Sequence, residues 1–131
     1  MNKSLTIADN LTMASTINLQ FHKAGWRNDT VNTNTIMAGN STVALYYHCI
    51  VLVVDSGFIS RFGGTITEMS PMVKNLSKYA PLYLVFEGEY DQCYGSWLAC
   101  AKKIFKTDLY EQQLHNAIDE IIYSESKLAL S

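Results

Sequence analysis

The chain has 131 residues, of which 48% are hydrophobic and 17% are charged, and its formal net charge is −2. Because about a quarter of the residues in an average soluble domain are charged, this chain is poor in charge, and its hydrophobic content excludes intrinsic disorder. The small negative net charge also excludes a basic arm that binds nucleic acid. A chain of this length is expected to form one globular domain over residues 1–131.

The amino-terminal residues contain no uninterrupted apolar run that could serve as a secretion signal, because Asp9 interrupts the only candidate. Disulfide-linked secreted domains usually carry an even and denser set of cysteines than the three found here. The cysteines also lack the close pairing of a structural zinc site. We therefore expect a cytoplasmic protein with reduced thiols, no bound metal and no cofactor; the cysteines are Cys49, Cys93 and Cys100.

The first predicted element is a helix over residues 10–24. Apolar residues recur at helical spacing from Leu11 through Ile17 to Phe21, and Gly25 is a typical residue just after a helix end. Residues 28–42, by contrast, show almost no hydrophobic periodicity and are rich in Asn and Thr. This stretch is predicted to be a long polar loop.

The middle of the chain holds the most apolar segment, residues 43–55, and Gly57 follows it. Its Val, Ile and Tyr content suits a strand, but its length well exceeds the usual 5–6 residues or so, and this favours a helix. A third helix is predicted to begin at Ser70 and Pro71 and to end before Pro81. Residues 82–86 fit either a short strand or a buried helical turn.

The last two predicted helices cover residues 93–105 and 108–122. The first shows apolar residues at helical spacing, and the second opens with a sequence typical of a capping box, from Asp108 to Glu111. The sequence therefore predicts a mainly α protein, a single-domain bundle of about five helices with an extended segment as an alternative near residues 82–86.

The segment 86–94 alternates acidic and aromatic residues. The carboxylates do not match a calcium loop, which needs Gly and Glu at later positions. Tyrosine is frequent in interface hot spots, and carboxylates attract a basic partner. Residues 87–131 contain eight acidic and four basic residues, so their net charge is −4. We interpret this region as a partner-binding surface formed by Glu87, Glu89, Tyr90, Asp91, Tyr94, Asp119 and Glu120.

The favoured hypothesis is a small protein-binding domain of the immunity or antitoxin type. Such an inhibitor would cover the active site of a basic toxin, for example a nuclease, and would have no enzymatic activity or catalytic residue of its own. One alternative is an enzyme of unfamiliar type with a site near His48, Asp55, Ser56 and Arg61. Another is a homo-oligomeric structural or adaptor protein that buries its apolar surface against copies of itself.

Overall fold

The computed structural model describes residues 2–37, 47–88, 94–107 and 111–129. Its core is a parallel β-sheet of five strands with helices packed against both faces. The prediction of a mainly α bundle of about five helices is therefore wrong, because the two segments richest in Val, Ile and aromatic residues form strands rather than helices. Within the described residues, the helices are too short or too polar to span a bilayer.

Strands and helices alternate along the chain. The strands are β1 (Lys3–Ile7), β2 (Arg27–Val31), β3 (Cys49–Val54), β4 (Leu82–Glu87) and β5 (Lys103–Thr107). The helices are α1 (Leu11–Lys23), α2 (Thr33–Met37), α3 (Ser56–Phe62), α4 (Ile66–Tyr79), α5 (Gly95–Cys100) and α6 (Glu111–Ala129), and a 3₁₀ turn joins α3 to α4. This alternation is typical of a sheet built from βαβ units.

The strand order in the sheet is β2-β1-β3-β4-β5, and every neighbouring pair is parallel. In register, Ile7 of β1 lies beside Leu52 of β3, and Val54 of β3 lies beside Phe86 of β4. All five carboxyl ends consequently lie along the same edge of the sheet. The loops that leave this edge bring together polar residues from distant parts of the chain.

The central strand β3 explains the largest error of the sequence prediction. Residues 43–55 were expected to form one helix, whereas Cys49–Val54 is a strand and residues 43–46 lie outside the described part of the chain. All six strand residues are buried, because helices cover both faces of the sheet. A strand buried on both faces is a continuous apolar run without alternation, so periodicity could not separate it from a buried helix.

The predicted helix at 93–105 is also corrected. Only Gly95–Cys100 is helical, and the chain then enters the edge strand β5 at Lys103. Residues 82–86, which fitted either a strand or a helical turn, lie in strand β4. The predicted loop at 28–42 contains the other edge strand, β2, and the short helix α2, while residues 38–46 are outside the described residues. The polar sequence of β2 is typical of an edge strand.

Two apolar layers hold the helices against the sheet. On one face, α1 and α6 pack on alternate residues of β3 and β4, with Ile17, Phe21 and Ile118 fully buried. On the opposite face, α3, α4 and α5 contribute Phe58, Leu76 and Trp97. These layers fix the sheet, and with it the positions of the loops at its carboxyl edge.

Two predicted helices are confirmed. Asn10 caps α1 by accepting hydrogen bonds from the amides of Thr12 and Met13, and the predicted apolar stripe of the last helix is buried at Leu114 and Ile118. The third helix begins earlier than predicted, at Ile66, so that the predicted start at residues 70–71 lies inside α4.

Candidate functional site at the carboxyl edge of the sheet

The strand order places a crevice between the carboxyl ends of β1 and β3. The chain leaves β1 towards β2 on one side, whereas β3 leads to β4 on the other side. In open α/β sheets of this order, ligands bind outside the carboxyl ends at this switch point. Two aspartates border the crevice: Asp9 follows β1 and Asp55 follows β3.

Asp9 is held on both carboxylate oxygens. Its Oδ1 accepts from the amide of Thr33 at 2.9 Å, and its Oδ2 accepts from the hydroxyl of the same residue at 2.9 Å. The guanidinium of Arg61 lies 3.6 Å from Oδ2. Thr33 is almost fully buried, so Asp9 is a fixed negative charge that links the loop after β2 to helix α3.

Asp55 occupies a different environment in the same crevice. It is the N-cap of α3, and its Oδ1 accepts from the amide of Phe58 at 2.7 Å. Oδ2 of Asp55 has no hydrogen-bond partner within the described residues. The residue is 4% exposed, so its carboxylate is largely shielded from bulk solvent.

Glu87 and Gly88 form the next part of the edge. Glu87 ends β4, and its Oε2 accepts a long hydrogen bond of 3.4 Å from the amide of Ser56. Gly88 has a φ of +84°, a conformation that glycine adopts without strain, and its amide donates to the carbonyl of Thr107 at 2.7 Å. The turn therefore brings the Glu87 carboxylate beside the start of α3, next to Asp55.

Strand β5 supplies a positive charge to the edge. Lys106 lies in register with Phe86 and is exposed, and the next residue, Thr107, is buried with its hydroxyl donating to the carbonyl of Phe86 at 3.2 Å. Arg61, beside Asp9, is the cation whose contact with a carboxylate at this edge is established. The site thus combines a carboxylate oxygen of Asp55 that has no partner in the described residues with a guanidinium beside Asp9.

The donor set does not suit a divalent cation. Such ions take oxygen ligands, chiefly carboxylates and carbonyls. At this edge, both oxygens of Asp9 are engaged by Thr33, and the positive charge of Arg61 lies beside one of them. In the described part of the chain, no three His, Cys, Asp or Glu residues form a group able to hold a metal.

Within the described part of the chain, the residues predicted to bind a partner do not lie together. Glu87 lies at the carboxyl edge, whereas Asp119 and Glu120 lie on α6, where they contact Gln20 of α1 and Lys103 of β5. Tyr94 is a core residue, 4% exposed, and its ring lies 5.1 Å from Phe86 and 5.2 Å from Trp97. The other predicted contacts lie outside the described residues: Glu89, Tyr90 and Asp91.

The predicted alternative site is only partly assembled. Asp55, Ser56 and Arg61 lie at the carboxyl edge. His48 precedes β3 at the opposite edge, where its Nδ1 accepts from the amide of Lys3 at 2.9 Å. The four side chains therefore do not converge, because the segment that separates them is a strand that crosses the whole sheet.

Sequence reasoning missed Asp9 and Thr33 as members of the site. The available signal was the position of each aspartate directly after a short segment rich in apolar residues: Asp9 follows Leu5–Ala8 and Asp55 follows Ile50–Val54. Once those segments are taken as parallel strands, both acids lie at one edge. Thr33 had no comparable signal, since its contact with Asp9 depends on the path of β2.

A second polar cluster lies beneath α6. Glu125, 6% exposed, accepts hydrogen bonds from the phenol of Tyr83 and from Nζ of Lys102, the latter at 2.9 Å. Burial raises the pKa of Tyr83, and the hydrogen bond to Glu125 raises it further. Burial, and then the negative charge of Glu125, raise the pKa of the Cys49 thiol. These groups are linked to one another and are remote from the carboxyl edge.

The fold is shared with solved response regulators. The chain matches a response regulator from Hahella chejuensis (15% identity, 95% of each chain, TM-score 0.66). It also matches a CheY-like receiver domain protein from Methanospirillum hungatei (10% identity, 97% of this chain and 98% of that chain, TM-score 0.65). A third match is a chain from a histidine kinase in complex with a response regulator protein (14% identity, 92% and 98% covered, TM-score 0.60).

Comparison with protein-family models and with curated proteins gave no match. At these identities, the structural matches establish a CheY-like α/β fold. The hypothesis of an α-helical immunity or antitoxin-type inhibitor is therefore corrected: it assumed a helical bundle, whereas the chain has an α/β fold like that of the matched response regulators.

Proposed function

We propose that this chain is a receiver-type signalling domain that accepts a phosphoryl group on Asp55. The position of Asp55 carries the proposal, because its carboxylate lies at the switch point of the sheet and has one oxygen without a partner in the described part of the chain. Asp9, the other aspartate of the crevice, has both oxygens engaged by Thr33. Asp55 is therefore the better nucleophile of the two.

The chemistry requires an ionised carboxylate and a donor with a good leaving group. Oδ2 of Asp55 attacks the phosphorus of the donor and forms an acyl phosphate. With phosphoramidate as the donor, the P–N bond breaks, and the already protonated nitrogen leaves as ammonia. Arg61, held beside Asp9, is the cation that offsets the charge of the product.

The proposed partner is a protein kinase. One matched chain comes from a histidine kinase in complex with a response regulator protein, and a receiver-type domain needs such a phosphoryl donor. In this proposal the domain works in the cytoplasm, turns over no substrate of its own and passes its state to other proteins. A toxin with a basic surface is not the partner in this proposal.

The test uses the full chain and phosphoramidate, with the site of modification located by mass spectrometry. We expect one phosphoryl group on Asp55, lost on treatment with hydroxylamine, and no modification of Asp55→Asn. Asp119→Asn, an exposed acid on α6 far from the crevice, serves as the matched control and should be labelled like the wild type. Absence of labelling, or undiminished labelling of Asp55→Asn, would contradict the proposal.

A further inference from the structure

We infer that Arg61 is a built-in counter-charge of the crevice, which lets Asp55 accept a phosphoryl group without a divalent cation. The inference rests on the proposed function and concerns how the charge of the product is balanced. The oxygen atoms at this edge do not provide the ligands that a divalent cation needs, because Thr33 engages both oxygens of Asp9.

Contacts within the protein already engage both carboxylate oxygens of Asp9. A carboxylate that coordinates a cation must offer an oxygen to it. Both oxygens of Asp9 instead accept hydrogen bonds from Thr33, a residue 1% exposed, and Oδ2 also lies 3.6 Å from Arg61. Asp9 is thereby a fixed anchor for a guanidinium, and neither of its oxygens is free of a hydrogen bond.

The guanidinium of Arg61 keeps N–H donors available for another anion. Its distance of 3.6 Å from Asp9 is an ion-pair distance, longer than a hydrogen bond. The guanidinium makes no hydrogen bond to the described residues, and its side chain is 48% exposed. It also lies 5.0 Å from the centre of the Phe62 ring, which restricts its position. Guanidinium groups often bind phosphate in a bidentate manner, through two parallel N–H···O hydrogen bonds.

Asp9 and Asp55 lie at the ends of neighbouring strands. They follow β1 and β3, which are adjacent in the sheet, and adjacent strands lie about 4.8 Å apart. A guanidinium anchored on Asp9 therefore lies at the same crevice as Asp55. Glu87 adds a further negative charge close to Asp55 through its contact with Ser56, so a nearby cation is required before a phosphoryl group can be stabilised here.

The experiment compares phosphoramidate labelling of Asp55 in magnesium chloride and in EDTA, for wild type, Arg61→Lys and Arg61→Gln. We expect wild type to be labelled equally well in both solutions. In EDTA, Arg61→Gln should be labelled about a hundredfold more slowly, the scale of losing one charge-stabilising donor, and Arg61→Lys should retain part of the rate. In addition, calorimetric titration should detect magnesium binding neither to wild type nor to Arg61→Gln, because Thr33 still engages both oxygens of Asp9.

Arg27→Gln is the matched control, because Arg27 also forms an ion pair of 3.6 Å with an aspartate, Asp29, away from the crevice. It should behave like wild type in every measurement. Labelling of wild type that requires magnesium, or labelling of Arg61→Gln in EDTA at the wild-type rate, would overturn the inference and leave the proposed function standing. Absence of labelling in both solutions would overturn the proposed function itself.

Discussion

Lys102 and Glu125 form an ion pair of 2.9 Å between the start of β5 and the last turns of α6. Glu125 is 6% exposed and also accepts from the hydroxyl of Tyr83. The pair therefore joins the sheet to the helix that covers it, with the glutamate buried and the lysine 38% exposed. A second pair on the same helix, Glu120 with Lys103, is about half exposed on both sides.

These two pairs predict a large difference between two substitutions on one helix. Glu125→Gln removes the charge from the buried end of a pair whose Lys102 side chain is 38% exposed, and losing a hydrogen bond between charged groups typically costs about 1.5–3 kcal/mol. Glu120→Gln breaks an exposed pair, which typically costs about 0–1 kcal/mol. Urea unfolding of the two variants and the wild type measures the difference in the free energy of unfolding. Equal losses in both would show that the Glu125 cluster does not hold α6 to the sheet.

The buried thiol and phenols predict a loss of stability at alkaline pH. The pKa values of Cys49 and Tyr83 are raised above their ordinary values of 9.0 and 10.0, and burial with the hydrogen bond to Asp29 raises the pKa of Tyr47 to about 12. Above about pH 9, the unfolded chain loses these protons first while the folded chain keeps them. The contribution of these three groups to the free energy of unfolding should therefore be constant below that pH and fall as the pH rises.

Urea unfolding between neutral pH and pH 11 or so tests this prediction. Tyr83→Phe should lower the stability at neutral pH but reduce the alkaline decline, because the phenol no longer titrates. Tyr123→Phe is the matched control, since Tyr123 is 71% exposed on α6, and its decline should equal that of the wild type. A decline as steep in Tyr83→Phe as in the wild type would show that Tyr83 does not contribute.

The accuracy of the sequence prediction varied with the environment of each element. Helices with one face in solvent, α1 and α6, have a clear periodicity, and both were predicted. Strand β3 has no such period, because both of its faces are buried. Once Cys49–Val54 was taken as a helix, the alternation of strands and helices was lost, and with it the parallel sheet.

The prediction of the candidate site also depended on whether Cys49–Val54 is a helix or a strand. Asp55, Ser56 and Arg61 were named as an alternative site from their closeness in sequence, and the strand that precedes them does place them together. Asp9 joins them through strand pairing, and its contact with Thr33 spans 24 residues. Contacts of this kind require the strand order, which a single sequence without its topology does not reveal.

A polar cluster under α1 gives a further prediction for stability. Oδ1 of Asn28 on β2 accepts from the hydroxyls of Ser4 and Thr6 on β1, at 2.8 and 2.9 Å, and both of these residues are fully buried. Asn28→Ala leaves two buried hydroxyls without this acceptor, and each such group costs about 1–3 kcal/mol.

Asn32→Ala is the matched control. Asn32 is exposed and accepts from the amide and hydroxyl of Thr35, so its loss should cost about 1 kcal/mol, the usual effect of removing such a capping contact. Thermal unfolding followed by circular dichroism compares the two. If Asn28→Ala is no less stable than Asn32→Ala, water or a rearranged side chain has replaced the lost acceptor.

The last prediction concerns the negative charge of Glu87 beside Asp55. Oε2 of Glu87 accepts from the amide of Ser56 at 3.4 Å, and a glutamine can keep this contact through its amide oxygen. Glu87→Gln therefore removes a charge that repels the incoming phosphoryl group while it preserves the local geometry. We expect labelling of Asp55 by phosphoramidate to become faster, by up to about tenfold for a like charge at this range.

The salt dependence of the labelling rate separates this effect from a change in structure. In wild type, added salt should speed labelling because it screens the repulsion, and in Glu87→Gln this effect should be smaller. Glu68→Gln, which removes an exposed carboxylate in the first turn of α4, is the matched control and should leave the rate and its salt dependence unchanged. Slower labelling of Glu87→Gln would instead mean that the Glu87 carboxylate assists the transfer, because its negative charge is the property that the substitution removes.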